Sequence, residues 1–179
     1  MIQQRGFTLL EALIALVVVS IGLLGLLGLQ AVSLSNTHVS ATRTTANEAA
    51  EDIAERMRSN LAGVDANHYA SIDNPSAGKA PGVDCVSNSC SAQQMAAVDA
   101  YAWDQSISAR LPNGRGQVDC LDNDPADGDA CSRQSPHRVT VIWRERDRQV
   151  ERQNIEDFDA CDDESDDIDQ RCFQLEFVP

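Results

Sequence analysis

From Ala12 to Leu29 the chain runs through 18 residues without a charge. As an α-helix rising ~1.5 Å per residue this stretch spans ~27 Å, nearly the hydrocarbon thickness of a bilayer, which makes it a membrane-spanning candidate. A cleaved secretory signal is the rival, because Arg5 supplies a positive flank and Ala31, Val32 and Ser33 form a small-residue cut site. The apolar run is longer than an ordinary signal core, and Glu11 interrupts its start, so the span is favoured. Glu11 is itself the anomaly, since a carboxylate inside a membrane helix costs a few kcal/mol on insertion scales and marks the stretch as functional.

Flanking charge sets the direction of crossing. Arg5 is the base on the N-terminal side, and the next base, Arg43, lies well beyond the apolar run, so the N-terminus is expected in the cytoplasm and the remainder exported. Cysteine usage agrees through different residues. All six cysteines, Cys85, Cys90, Cys120, Cys131, Cys161 and Cys172, fall outside the N-terminal segment, in a chain whose aromatic content is only 4%. An even count in a small loop-rich domain reads as disulfides made in an oxidising compartment. Six cysteines allow fifteen connectivities, among which short loops favour Cys85 with Cys90, Cys120 with Cys131 and Cys161 with Cys172. Zinc is the competing assignment, but Cys85-x4-Cys90 is looser than paired zinc ligands and no second CxxC or HxxxH follows.

The 179 residues suit one modest domain with an appendage, and the net charge of -14 is unevenly spread. Residues 1–60 hold 5 acids and 4 bases, and residues 61–179 hold 23 acids and 10 bases. Such an acidic surface repels phosphate backbones, so nucleic acid is not expected as a partner.

A long helix is expected from about Thr8 to Leu61. Its second half carries Ala46, Ala50, Ile53, Met57 and Leu61 on one face, with Asp52 and Arg56 as an i,i+4 pair, and Gly63 as its stop. Gly22, Gly25 and Gly28 recur in the apolar half, where they permit close approach of another helix or simply reflect the frequency of glycine in membrane helices. Residues 62–89, with Gly63, Pro75, Gly78, Pro81 and Gly82, read as loop. Ser91 and Gln94 form a capping-box pattern for a second helix, with Met95, Val98, Ala102, Trp103, Ile107 and Leu111 at helical spacing and Pro112, Asn113 and Gly114 ending it. Partial alternation marks strands at Gly116–Leu121, His137–Trp143 and Cys172–Val178, and QVERQNIE is a further candidate. The expected class is α+β, a long helix packed on a small antiparallel sheet with an extra helix and disulfide-stapled loops.

Catalytic and metal signals are sparse. His38, His68 and His137 are dispersed, and no GxSxG, HExxH or phosphate loop occurs. DNDPADGDAC fails the calcium-loop pattern, since its twelfth position from Asp122 is Arg133. EDFDACDDESDDID holds 9 acids in 14 residues, which could gather Ca²⁺ weakly but reads first as a solvated surface. Neither a catalytic site nor a cofactor is expected.

The register of RGFTLLEALIALVVVSIGLLGL, with Arg5, Gly6, Phe7, Glu11 and the apolar span in order, resembles the N-terminal signature of type IV prepilins. The resemblance implies cleavage by a prepilin peptidase between Gly6 and Phe7, and N-methylation of Phe7. It also implies that Glu11 meets the amino-terminal charge of a neighbouring subunit during assembly. The division implied is a leader over residues 1–6, a long helix over 7–61 whose membrane part covers about 7–29, and a periplasmic head over 62–179. AERMRSN, LPNGRGQV and VTVIW are similar to the pattern of PilV-type minor pilins, whereas the acidic segment Asp122 to Asp129 and the Cys161 to Cys172 loop fit no such pattern.

By that resemblance the chain is a minor pilin that primes pilus assembly and supports adhesion and twitching motility. Its partners would be the prepilin peptidase, other minor pilins and the major pilin, the inner-membrane assembly platform and a tip adhesin. It would sit in the inner membrane, single pass, and then in the pilus at the cell surface. A type II secretion pseudopilin shares every N-terminal feature. A membrane-anchored periplasmic calcium-binding adhesion module is the alternative from another class.

Overall fold

The computed structural model describes residues 8–73, 80–122, 131, 134–145 and 170–179. Its elements are α1 (Leu9–Ser59), α2 (Leu61–Asp65), β1 (Ser71–Asp73), α3 (Ala92–Arg110), β2 (Arg115–Cys120), β3 (His137–Arg144) and β4 (Gln170–Phe177). The chain forms two compact units, Met1–Ala41 and Thr42–Pro179, and α1 contributes to both.

In the first unit the helix is bare: every described residue from Thr8 to His38 is exposed. Two hydroxyls here are satisfied by the helix's own backbone. The Ser20 hydroxyl donates to the Leu16 carbonyl at 2.7 Å, and that of Thr37 to the Ser33 carbonyl at 2.9 Å, so neither interrupts the helix.

In the second unit α1 turns amphipathic. Ala46, Ala49, Ala50, Ile53, Ala54 and Met57 are buried at helical spacing. Four alanines in that stripe leave the Ala49 carbonyl within reach of the Trp103 indole of α3. The helix ends at Ser59, two residues before the expected Leu61, because Asn60 leaves helical geometry and caps α2, its side-chain oxygen accepting the Gly63 N–H. Gly63 is therefore no stop. A Cβ there would collide with the Asn60 side chain and crowd the Tyr69 ring, so the glycine serves a close approach inside α2.

Residues read as loop contain two short elements, α2 and β1. A five-residue helix and a three-residue strand are too short to print a period on the sequence. Asn67, at φ 57, turns the chain out of α2, and β1 then pairs along β2 with Ile72 opposite Val118.

The sheet is antiparallel with order β1-β2-β3-β4. Its three longer strands begin and end within two residues of their expected limits. One face carries Val118, Val139 and Leu175 in a row and Gly116, Val141 and Phe173 in another, and it closes the core with α1 and α3. At the end of the sheet Cys120, His137 and Phe177 stand side by side. The candidate strand QVERQNIE lies outside the described residues.

The buried face of α3 is rotated from the one expected. Ala96, Asp99, Ala100, Trp103, Asp104 and Ile107 are buried, while Met95, Val98 and Ala102 are only half covered. Two aspartates thus face inward, a placement that apolar periodicity cannot anticipate. The capping box forms as expected: Ser91 Oγ accepts from Gln94 N–H, and Gln94 Oε1 accepts from Ser91 N–H.

Candidate functional site

The apolar half of α1 is the first candidate. Leu9, Leu10, Leu13, Ile14 and Leu16 begin a run of large apolar side chains, exposed all round the helix, that extends to Leu34. A helix apolar on every side is stable only when lipid or other protein surrounds it. It is the one helix among the described residues long and apolar enough to cross a membrane. Thr8 starts it: its hydroxyl accepts the Glu11 N–H at 3.3 Å, and its carbonyl accepts the same N–H at 3.1 Å. Glu11 is thereby fixed in the first turn, where a carboxylate complements the positive end of the helix dipole. The Thr-x-x-Glu spacing announced this cap, and the sequence reading passed over it.

The second candidate is a polar chain that ties the end of α1 to α3. The Arg56 guanidinium bridges two carboxylates: its Nε lies 3.1 Å from both oxygens of Asp52, and its Nη1 lies 3.3 Å from Asp99 Oδ1. Asp99 Oδ2 accepts from the Tyr69 hydroxyl at 2.6 Å. Tyr69 in turn accepts from Asn60 Nδ2 at 3.0 Å, and the same amide donates to the Ala92 carbonyl at 2.9 Å. Burial, reinforced by the bond to Asp99, pushes the Tyr69 phenol well above its ordinary range, so it stays a donor. Burial opposes the charge on Arg56, but its bonds to Asp52 and Asp99 outweigh that cost and raise its pKa. The result is a clasp in which a nearly inaccessible carboxylate is satisfied from two sides.

Other rungs lie along the same pair of helices. Trp103 Nε1 donates to the Ala49 carbonyl at 2.7 Å, and Arg110 pairs with Glu48. As the α1 number falls from 56 to 48, the α3 partner rises from 99 to 110, as antiparallel helices require. The motif AERMRSN thus has a structural meaning: Met57 fills the core, Arg56 and Asn60 grip α3 and Tyr69, and Arg58 stacks over Phe177 at 5.1 Å. Asn60, Tyr69 and Asp99 were not identified as a group from sequence, because 30 to 39 residues separate Asp99 from the other two.

The remaining expected site residues divide cleanly. Disulfides join Cys85 to Cys90 and Cys120 to Cys131. Cys172 is disulfide-bonded as well, and its expected partner Cys161 lies outside the described residues, as do Gly6, Phe7 and most of both acidic stretches. No described cysteine is free to ligate zinc. His38 and His68 are exposed and far apart in sequence, whereas His137 is buried, its Nδ1 3.0 Å from the Ser135 carbonyl. Among the described residues no three metal-ligating side chains come together.

A membrane-length helix that continues into a small α+β unit defines a class of anchored subunit, and the comparisons identify it. Residues 1–27 match the prokaryotic N-terminal methylation motif, and residues 28–101 match the family model described as type IV pilin Tt1218. The two models adjoin over residues 1–101, and the match is that of a type IV pilin with an N-terminal methylation motif. The clasp residues Asp52, Arg56, Asn60, Tyr69 and Asp99 all fall inside the second match, and β2, β3 and β4 all lie beyond it. No curated protein and no solved structure matches the chain. The methylation motif implies processing by a prepilin peptidase and assembly with other pilins.

Proposed function

We propose that the chain is a minor pilin of the PilV type, cleaved between Gly6 and Phe7, N-methylated on Phe7, and acting in the complex that primes pilus assembly. The observation that carries this reading is the helix from Leu9 to Leu34, apolar and exposed on every side among the described residues, and bearing one carboxylate in its first turn. In the bilayer that carboxylate is costly, and an ammonium from a neighbouring subunit's processed terminus offsets the cost. Glu11 thereby sets the stagger at which the subunit enters a filament.

In this reading the N-terminus faces the cytoplasm and the head is periplasmic, where its disulfides form. The head makes contacts with other minor pilins, the major pilin and a tip adhesin, and the inner-membrane platform drives the subunit into the pilus. Adhesion and twitching motility follow from assembly, and the role is structural rather than enzymatic. The test is the intact mass and N-terminal sequence of the membrane-bound form. An N-methylated Phe7 is expected, whereas a chain beginning at Leu34 would establish ordinary secretion.

A further inference from the structure

The described disulfide cysteines differ in access. Cys131 and Cys172 are buried, at 6% and 7% exposure, and Cys120 is half-buried. In the Cys85–Cys90 pair neither cysteine is buried, and the two bracket four exposed residues, with Val86 at 98%. That short loop is held by its own bonds: Asp84 Oδ1 accepts the N–H groups of Val86 and Ser87, and the Asn88 amide donates to the Asp84 carbonyl. Its exit is more consequential. Cys90 directly precedes Ser91, the N-cap of α3, and the next residue, Ala92, offers the carbonyl that Asn60 grips.

We infer that Cys85–Cys90 is a redox-openable latch on α3, the disulfide of this head that a dithiol opens first, and that its opening loosens the clasp between α3 and the end of α1. The thiolate of a dithiol reductant attacks one sulfur of the pair, forming a mixed disulfide and releasing the other as a thiolate. The second reductant thiol resolves the mixed disulfide. Two electrons pass to the cysteine pair, whose sulfurs finish as thiols, and the reductant leaves as a disulfide. Exchange needs approach of the attacking thiolate to a sulfur, which the exposed loop permits at both ends of Cys85–Cys90, whereas Cys120–Cys131 offers Cys120 alone and Cys172 is buried.

The consequence travels through covalent neighbours. With the loop open, Ser91 is no longer held at the start of α3, and the first turn frays because its capping box needs Ser91 in place. The Ala92 carbonyl then leaves Asn60, which also orients Tyr69 toward Asp99. The sheet lies outside this route.

The experiment uses the full chain in detergent, titrated with dithiothreitol, alkylated with iodoacetamide and mapped by peptide mass. Alkylation of Cys85 and Cys90 is expected at a dithiothreitol concentration about tenfold below that needed for Cys120, Cys131 and Cys172. Opening of all pairs together, or of the disulfide at Cys131 or at Cys172 first, overturns the inference. A double variant, Cys85→Ser with Cys90→Ser, gives the second readout by amide hydrogen exchange. Protection is expected to fall over residues 92–97 and at Gly63 while Val139 to Val141 keep theirs. Unchanged protection at residues 92–97, or equal loss in β3, refutes the coupling.

Discussion

The indole of Trp103 donates its N–H to the main-chain carbonyl of Ala49 at 2.7 Å, so the largest buried side chain of the head is pinned to the backbone of α1. The opposite edge of the same ring presses on Gly116 of β2, where a Cβ would overlap three of its carbons. Trp103 therefore spans the core from helix to sheet, with no slack at either end. Gly116→Ala is expected to force the indole off Ala49 and to destabilise the head by about 1–3 kcal/mol, the ordinary cost of overpacking. Urea unfolding followed by tryptophan fluorescence checks this, and an unchanged midpoint would show that the contact relaxes freely.

Asp99 stabilises through the groups it satisfies. Removing its carboxylate by Asp99→Ala leaves the Tyr69 hydroxyl without its acceptor and Arg56 with Asp52 alone. Breaking a buried pair in this way costs roughly 3–5 kcal/mol, and the partial exposure of Arg56 places this case near the lower end. Asp99→Asn keeps an acceptor for Tyr69, so its loss should be smaller. A cycle combining Asp99→Ala with Tyr69→Phe is expected to show coupling of about 1 kcal/mol or more, and simple additivity would mean that the two side chains act independently.

Much of this arrangement was visible in the amino-acid order, and the parts that were not share a cause. The apolar run, the alanine face from Ala46 to Met57, the Ser91 cap and the three longer strands repeat with regular periods, and they appear where those periods put them. Asp99 broke the pattern because a carboxylate on a helix reads as solvent-facing until its partners are known, and those partners sit in α1 and in the turn before β1. Gly63 and Gly116 resemble ordinary punctuation in sequence, yet each answers to a side chain brought close only by the fold. Glu11 was legible as an anomaly and Thr8 as about the start of the helix, while the bond by which the Thr8 hydroxyl caps the Glu11 N–H shows only in the fold.

His137 makes the head sensitive to mild acid. Burial lowers its pKa below the ordinary 6.5, against a smaller opposing effect from the Ser135 carbonyl. The folded chain thus holds the imidazole neutral where the unfolded chain would protonate it. Its contribution is intact above 6.5 and declines as pH falls below that value, levelling off under the depressed pKa. The Asp84 carboxyl, held below 3.8 by the Ser87 hydroxyl and the N–H groups of Val86 and Ser87, loses its own contribution only at lower pH. Urea midpoints at pH 7.5 and pH 5.5 should therefore differ, and His137→Gln should shrink the difference whatever its effect at pH 7.5. An equal difference in both chains would assign the acid sensitivity elsewhere.

Glu11 offers the sharpest separation of folding from assembly. Its main-chain N–H, rather than its carboxylate, is what Thr8 caps, so Glu11→Ala leaves the start of α1 with that bond and forgoes only the dipole interaction, about 0.3–1 kcal/mol. Removing the charge also lowers the cost of placing the first turn in lipid. The variant should accordingly insert, be processed and accumulate at least as well as the parent chain. In the proposed role, however, the incoming subunit then has nothing to meet the neighbouring ammonium, and the pilus count should fall severalfold or more. Glu11→Gln, which keeps shape and hydrogen bonding, should fail similarly if charge is what matters, while Glu11→Asp should retain part of the function. Electron-microscopic counts of surface pili, beside immunoblots of the processed chain, distinguish these cases. Normal piliation by Glu11→Ala would leave the carboxylate as a helix-end charge and nothing more.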